Sequence, residues 1–189
     1  MIFNLKLIFF YLLFKIQNPN IKVGKKISFN SRVLCKISDS SFVEIGDNCT
    51  FSNFTKHNFA GINRRCSIRV KDNSTLKIGN NCGFSGTVIN VKKSIKIGDN
   101  VQFGVNVNIW DNDFHSIDYR KRRKNIGIIS NDIVIGNDVW VGANTTILKG
   151  VSIGKCSIIA SHSLVNKSVG DYELWGGIPA KKLKNLERS

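Results

Sequence analysis

From residue 135 the chain repeats every six residues without a break: IGNDVW, VGANTT, ILKGVS, IGKCSI, IASHSL, VNKSVG. The first position of every block is aliphatic and the fifth is small or β-branched. The same aliphatic-Gly step occurs at Val23-Gly24, Ile45-Gly46, Ile78-Gly79 and Ile97-Gly98, in frames such as IGDNC, IGNNC and IGDNV. A helix would space its apolar residues at i, i+3, i+4 and i+7, and a meander strand would alternate over a longer run. A period of six with Gly or Asn beside the aliphatic residue suits a short strand, a corner tolerant of positive φ, and another short strand. Three such strands close one turn of a triangular prism, and each turn covers the apolar face of its neighbour. About seven coils are expected between residues 20 and 170. Residues 51–66 and 113–131 break the period and are expected as loops thrown out of the prism. The chain divides into an apolar segment (1–19), the repeat domain (20–170) and a tail (171–189).

Hydrophobic residues make up 42% of the chain and there are only 2 prolines, which fits one ordered domain rather than a disordered chain. Against 13 acids stand 28 Lys and Arg, a net charge of +15. Such a field attracts polyanions: nucleic acid, an anionic membrane, an acidic glycan or a phosphorylated cosubstrate. The cysteines (Cys35, Cys49, Cys66, Cys82, Cys156) form no CxxC pair and no zinc-like spacing with the three histidines. Cys49, Cys66 and Cys82 recur near the repeat length and read as small inward-facing residues. Reduced thiols in a core fit a cytoplasmic protein.

Residues 1–16 (MIFNLKLIFFYLLFKI) are very apolar, shorter than the roughly 20 residues that span a bilayer, and lack a small-residue cleavage site. Two readings stand: a helix that caps the prism, or an interfacial helix with Lys6 and Lys15 facing anionic headgroups at the inner membrane face.

Residues 78–183 resemble the hexapeptide-repeat acyltransferase family, and within it the maltose/galactoside-type and surface-polysaccharide O-acetyltransferases. IGDNVQFGVNVNIWDNDFHSID (97–118) is similar to the family's coil that ends in D-x-D-x-H before a protruding loop. The run 133–170 is similar to its unbroken hexapeptide coils, and WGGIPAKKLK (175–184) to its G-x-P-A-K exit strand. The resemblance implies an all-β fold, a left-handed parallel β-helix with an N-terminal helix and a protruding loop. It also implies acetyl-CoA as cosubstrate, no metal, and a homotrimer with active sites between subunits.

Carried over to matching positions, the resemblance makes His115 the general base that takes the proton of a sugar hydroxyl, a role suited to an imidazole and worth roughly 10²–10⁴-fold. A carboxylate can hold such a ring in one tautomer; Asp111 and Asp113 both flank His115, and Asp113 is favoured. The segment YRKRRK (119–124) belongs to a loop that reaches a neighbouring subunit's cleft in the family. Arg120, Arg122 and Arg123 are therefore expected at the acceptor entrance and point to an acidic acceptor; a solvated or lipid-touching loop is the alternative. Trp140 is placed to stack on a sugar or on pantetheine, and Trp175 less well so. Cosubstrate contacts fall on Ala143, Ser161, Asn166, Lys167 and Lys181, with Lys182 and Lys184 near the phosphates and the Ala143 N–H as oxyanion donor. Asn166 replaces the Thr common in relatives. Ser85 stands where galactoside-type relatives bind the acceptor with Asn, which implies a different acceptor. His162 reads as a corner residue, and His57 lies in the irregular 51–66 loop.

The expected activity is O-acetylation of a sugar hydroxyl on an acidic surface or capsular polysaccharide or its precursor. N-acetylation of a nucleotide-linked amino sugar is the alternative. The zinc carbonic anhydrases that share the prism need three converging imidazoles, and no second histidine lies near His115. Nucleic acid is not expected as a partner, because the cations are scattered and no reading helix or stacking platform accompanies them.

Overall fold

The computed structural model describes residues 5–54 and 58–187, with only the backbone of 5–7. His57 and the Lys6 side chain lie outside the described residues. The chain winds through three parallel sheets, one strand per sheet per turn. Face A stacks Lys22–Val23, Phe42–Ile45, Thr75–Ile78, Ser94–Ile97, Ile133–Ile135 and Ser152–Ile153. Face B stacks Ser28–Phe29, Thr50–Ser52, Gly83–Ser85, Gln102–Val105, Trp140–Val141 and Ile158–Ile159, then Glu173–Gly177 and the antiparallel Ala180–Asn185. Face C stacks Leu34–Ile37, Ser67–Val70, Val88–Val91, Asn108–Trp110, Thr146–Leu148 and Leu164–Val165. Six complete coils result, and a seventh begins with the Val169 bridge to Ile153 and continues in Glu173–Gly177. This is the expected parallel β-helix.

The I-G-[DN]-[ND] motif builds the corner between faces A and B. Its aliphatic residue points inward: Ile45, Ile78, Ile97 and Ile135 are all buried. Its Gly lets successive coils touch, since a Cβ on Gly79 would lie 2.6 Å from the Gly98 carbonyl carbon. The third residue reaches back to the preceding coil: Asp47, Asn80, Asp99 and Asn137 accept the backbone N–H of Lys25, Asp47, Asn80 and Asp99. The fourth turns the corner with positive φ, 56° at Asn48, 57° at Asn81, 58° at Asn100 and 58° at Asp138. Their side chains form a hydrogen-bonded ladder, each step about 3.0 Å. Asn and Asp tolerate this conformation best among residues with a side chain.

Inside face B the rings of Phe29, Phe51, Phe84 and Phe103 stack at 5.1, 4.8 and 5.0 Å. A helix, α1 (Leu5–Gln17), closes the end of this column, with Phe14 stacked on Phe29 at 4.7 Å. Within the described residues α1 thus lies over the first coil. Cys49, Cys66 and Cys82 are buried as expected, and burial pushes Cys66 up to about 11.

The first loop is shorter than the broken period suggested. Phe51 and Ser52 keep their register with Phe84 and Ser85, so the excursion starts at Asn53. Its far end is clamped by Arg64, which donates to the carbonyls of Gly86 and Asn106 and to Asn108 Oδ1. The second loop contains a short helix, α2 (Tyr119–Arg123), capped by Asp118. Among the described residues no helix is long and apolar enough to cross a membrane.

Candidate active site

Strand Asn108–Trp110 on face C ends at Asp111, and there the chain leaves the prism. The Asp111 side chain is fully buried and accepts the backbone N–H groups of Lys92, Lys93 and Ser94 at 2.7–2.9 Å. It closes the corner of the coil below, and among the described residues none of its hydrogen bonds goes to His115. Next to it Asn112, also buried, donates to Asn90 Oδ1 and accepts the Phe114 N–H at 3.0 Å.

His115 rides on the turn so formed. Its N–H donates to the Asp113 carbonyl at 2.6 Å, and Phe114 between them has φ of 61°. Positive φ is rare for a bulky residue and clusters at functional sites. The Phe114 ring meets Trp110 edge-on at 5.4 Å, which fixes the turn against face C. The imidazole is exposed and has no hydrogen-bond partner among the described residues. Asp113, favoured by sequence to orient it, instead pairs with Lys149 Nζ at 2.6 Å, and no bond to the ring is formed. The loop root is zipped by Asp113 N–H to Ile129 and Asn131 N–H to Asp111.

In α2 the cations divide their duties. Arg122 donates to the carbonyls of Ser116 and Ile117 and so holds its own loop. Arg120 and Arg123 flank the Tyr119 ring at 5.5 and 5.2 Å with their charge exposed to solvent.

The remaining candidates gather at other corners. Ser85 ends its strand beside the corner between faces B and C and accepts from Asn58 of the first loop. At the same corner, one and two coils beyond Val105, lie Ala143 and Ser161, whose backbone N–H groups donate to no group among the described residues. Asn144 and His162 follow them, both with positive φ and joined side chain to side chain at 3.2 Å. Asn166 and Lys167 are exposed at the corner between faces C and A, the corner from which the His115 loop departs. Trp140 stands 56% exposed on the outside of face B. Lys181 and Lys184 are exposed on the last strand, but Lys182 is paired with Glu173. Trp175 packs partly against the core and donates its indole N–H to Glu173. One chain thus sets two groups of candidates at opposite ends of face C. From Asn106 to Asp111 is five residues of extended chain, about 16 Å. Sequence reasoning missed Trp110, Asn112 and Lys149, because nothing in the repeat marks them as supports of the His115 turn. No group of three or more His, Cys, Asp or Glu among the described residues could hold a metal ion.

Residues 132–167 match the family described as bacterial transferase hexapeptide (six repeats). The galactoside O-acetyltransferase of Escherichia coli (strain K12) is 33% identical over 93 residues, 49% of this chain and 45% of that one. The chain spans half or less of the length of the curated relatives it matches. Among solved structures, a hexapeptide-repeat acetyltransferase from Vibrio cholerae in complex with acetyl coenzyme A superposes with a TM-score of 0.62 at 27% identity, over 94% of this chain and 78% of that one. The polySia specific acetyltransferase NeuO superposes with a TM-score of 0.65 at 25% identity, over 89% and 84%. Fold and repeat together define a left-handed parallel β-helix of the hexapeptide type. In repeat and fold the chain is similar to the hexapeptide-repeat acetyltransferases.

Proposed function

We propose that this protein transfers the acetyl group of acetyl-CoA to a sugar hydroxyl of an acidic glycan or its precursor, with His115 as general base. The observation that carries the reading is the presentation of His115: an exposed imidazole, unpaired among the described residues, on a left-handed turn four residues before a capped helix bearing four cations. The hydroxyl oxygen attacks the thioester carbonyl while His115 takes the hydroxyl proton. The carbon–sulfur bond breaks, and the imidazolium returns the proton to the departing thiolate. The products are an acetyl ester and free CoA. A backbone N–H such as that of Ala143 suits the negative charge that develops on the carbonyl oxygen.

The free N–H groups of Ala143 and Ser161 lie at the opposite end of face C from the root of the His115 loop. A site between subunits, as in a homotrimer, would bring the loop of one chain to the corner of the next. Lys167, Lys181 and Lys184 supply positive charge for the cosubstrate phosphates, and Trp140 an aromatic plane. The acidic character of the acceptor rests on Arg120 and Arg123; the relative named for polySia specificity is compatible with it. In this reading the transfer takes place in the cytoplasm, where acetyl-CoA is supplied.

Thiol release from acetyl-CoA tests the reading, with sialic- and uronic-acid polymers, neutral glycans and amino sugars as acceptors. Release is expected with an acidic glycan and is expected to fall about 10²–10⁴-fold in His115→Ala. Release that survives this substitution excludes His115 as base. Release with amino sugars alone establishes N-acetylation instead.

A further inference from the structure

Helix α1 turns only one side to the prism. Phe14 is buried, and Phe10 and Tyr11 pack partly against the core. On the other side Ile8, Phe9, Leu12 and Ile16 are exposed, Ile16 to 76%. At 100° per residue the two sets occupy opposite faces of the helix. The helix is therefore apolar nearly all round, with its outer face uncovered by the described residues, and an exposed patch of this kind marks an interaction surface.

Charge names the occupant. The first 38 residues contain seven Lys and Arg and no Asp or Glu. Four of these cations, Lys25, Lys26, Arg32 and Lys36, are exposed on the first coil, the one α1 covers, while a fifth, Lys22, turns its ammonium to the Phe42 ring of the second coil. Acids begin only in the second coil, where Asp39 accepts from Asn20 and Asp47 from the Lys25 N–H. The apolar helix face is thus rimmed by positive charge. A second copy would set like charges against each other, whereas an anionic lipid surface complements both the cations and the apolar face. At 13 residues α1 is too short to cross a bilayer, so the contact is peripheral.

We infer that the α1 end of the prism docks on an anionic bilayer, with Phe9, Leu12 and Ile16 at the boundary of headgroups and acyl chains and the first-coil cations at the lipid phosphates. The prism then stands on its end. The His115 loop leaves the fourth coil, about 14 Å above the first at the spacing of parallel strands. The inference is independent of the acyl-transfer reading and is tested without turnover.

The full chain is sedimented with vesicles of phosphatidylcholine alone and of an equal mixture with phosphatidylglycerol. Binding to the mixed vesicles is expected to be tighter by on the order of tenfold or more and to weaken at high salt. Leu12→Ser with Ile16→Ser is expected to abolish it at an unchanged thermal midpoint. Lys25→Glu with Lys26→Glu, on surface positions outside the core, is expected to weaken it and keeps the test valid should the helix variant unfold. Equal binding to both vesicles, or none to either, overturns the inference. So does a molecular mass in light scattering that falls in the helix variant of a chain that ignores lipid, which would make this face a contact between copies.

Discussion

The Asp113 carboxylate meets Lys149 Nζ at 2.6 Å, an ion pair that joins the root of the His115 loop to the next coil of the prism. Both side chains are about one-third exposed, 32% and 27%, so the pair contributes on the order of 1 kcal/mol at most. Its effect is local. Asp113→Asn and Lys149→Met are each expected to speed tryptic cleavage within residues 119–124 severalfold at an unchanged global midpoint. Cleavage at the parent rate in both variants would show that the loop is held by its backbone bonds alone.

Arg120 and Arg123 expose their charge beside Tyr119, whereas Arg122 is used within the loop. Arg120→Ala with Arg123→Ala is expected to raise KM for an acidic acceptor about tenfold at low salt, with kcat nearly kept and neutral acceptors unaffected. Arg122→Ala is expected to lower kcat as well, because it loosens the segment that carries His115. Equal effects on acidic and neutral acceptors would remove the argument for an acidic substrate.

Phe84 sits in the middle of the aromatic column, 1% exposed, with rings stacked on both sides. Phe84→Ala is expected to cost about 3–5 kcal/mol, read from denaturant midpoints. Phe14→Ala, at the end of the column, is expected to cost less and mainly to release α1, visible as lost helical signal in circular dichroism.

At Gly79 a methyl group would press on the Gly98 carbonyl at 2.6 Å, backbone against backbone. Gly79→Ala is expected to destabilise by about 1–3 kcal/mol or to prevent folding. Asn81→Gly keeps the positive φ and loses two ladder bonds, so a smaller loss of about 1 kcal/mol is expected. Thermal unfolding of the two variants side by side separates coil contact from ladder bonding.

Burial pushes the Cys35 thiol up to about 12 and the Cys66 thiol to about 11, above the ordinary thiol value of 9.0. A group with a raised pKa in the folded chain adds stability that is complete below its unfolded value and is lost as pH rises through the folded one. The thermal midpoint is therefore expected to fall from about pH 9 upward, and Cys66→Ala to flatten that limb. Glu173 carries the opposite sign. Lys182 and the Trp175 indole N–H hold its carboxyl below the usual range, so its contribution is lost as pH falls. Trp175 fluorescence is expected to report loosening of the last hairpin on the acid side, and Glu173→Gln to remove that transition.

Much of this protein was legible in one dimension, because a hexapeptide coil is made of local instructions. Ile135-Gly136-Asn137-Asp138 specifies an inward residue, a close approach, a backbone acceptor and a positive φ, all within four positions. Stacking such units leaves few alternatives to a three-faced prism, so the coils, the two excursions and the position of His115 on the second could be read directly. Only the tertiary structure decided what each polar group near His115 does. Asp111 and Asp113 are two residues apart and look equivalent in sequence. One is buried against backbone N–H groups of residues 92–94, and the other is claimed by Lys149 from the following coil. The Arg64 clamp reaches Asn106 and Asn108 from more than 40 positions away, and α1 shows its two apolar faces only once the prism supplies an end to cover. A repeat determines its own geometry through near neighbours, whereas the partner of a charged side chain depends on which distant residue the completed coils bring within hydrogen-bonding reach.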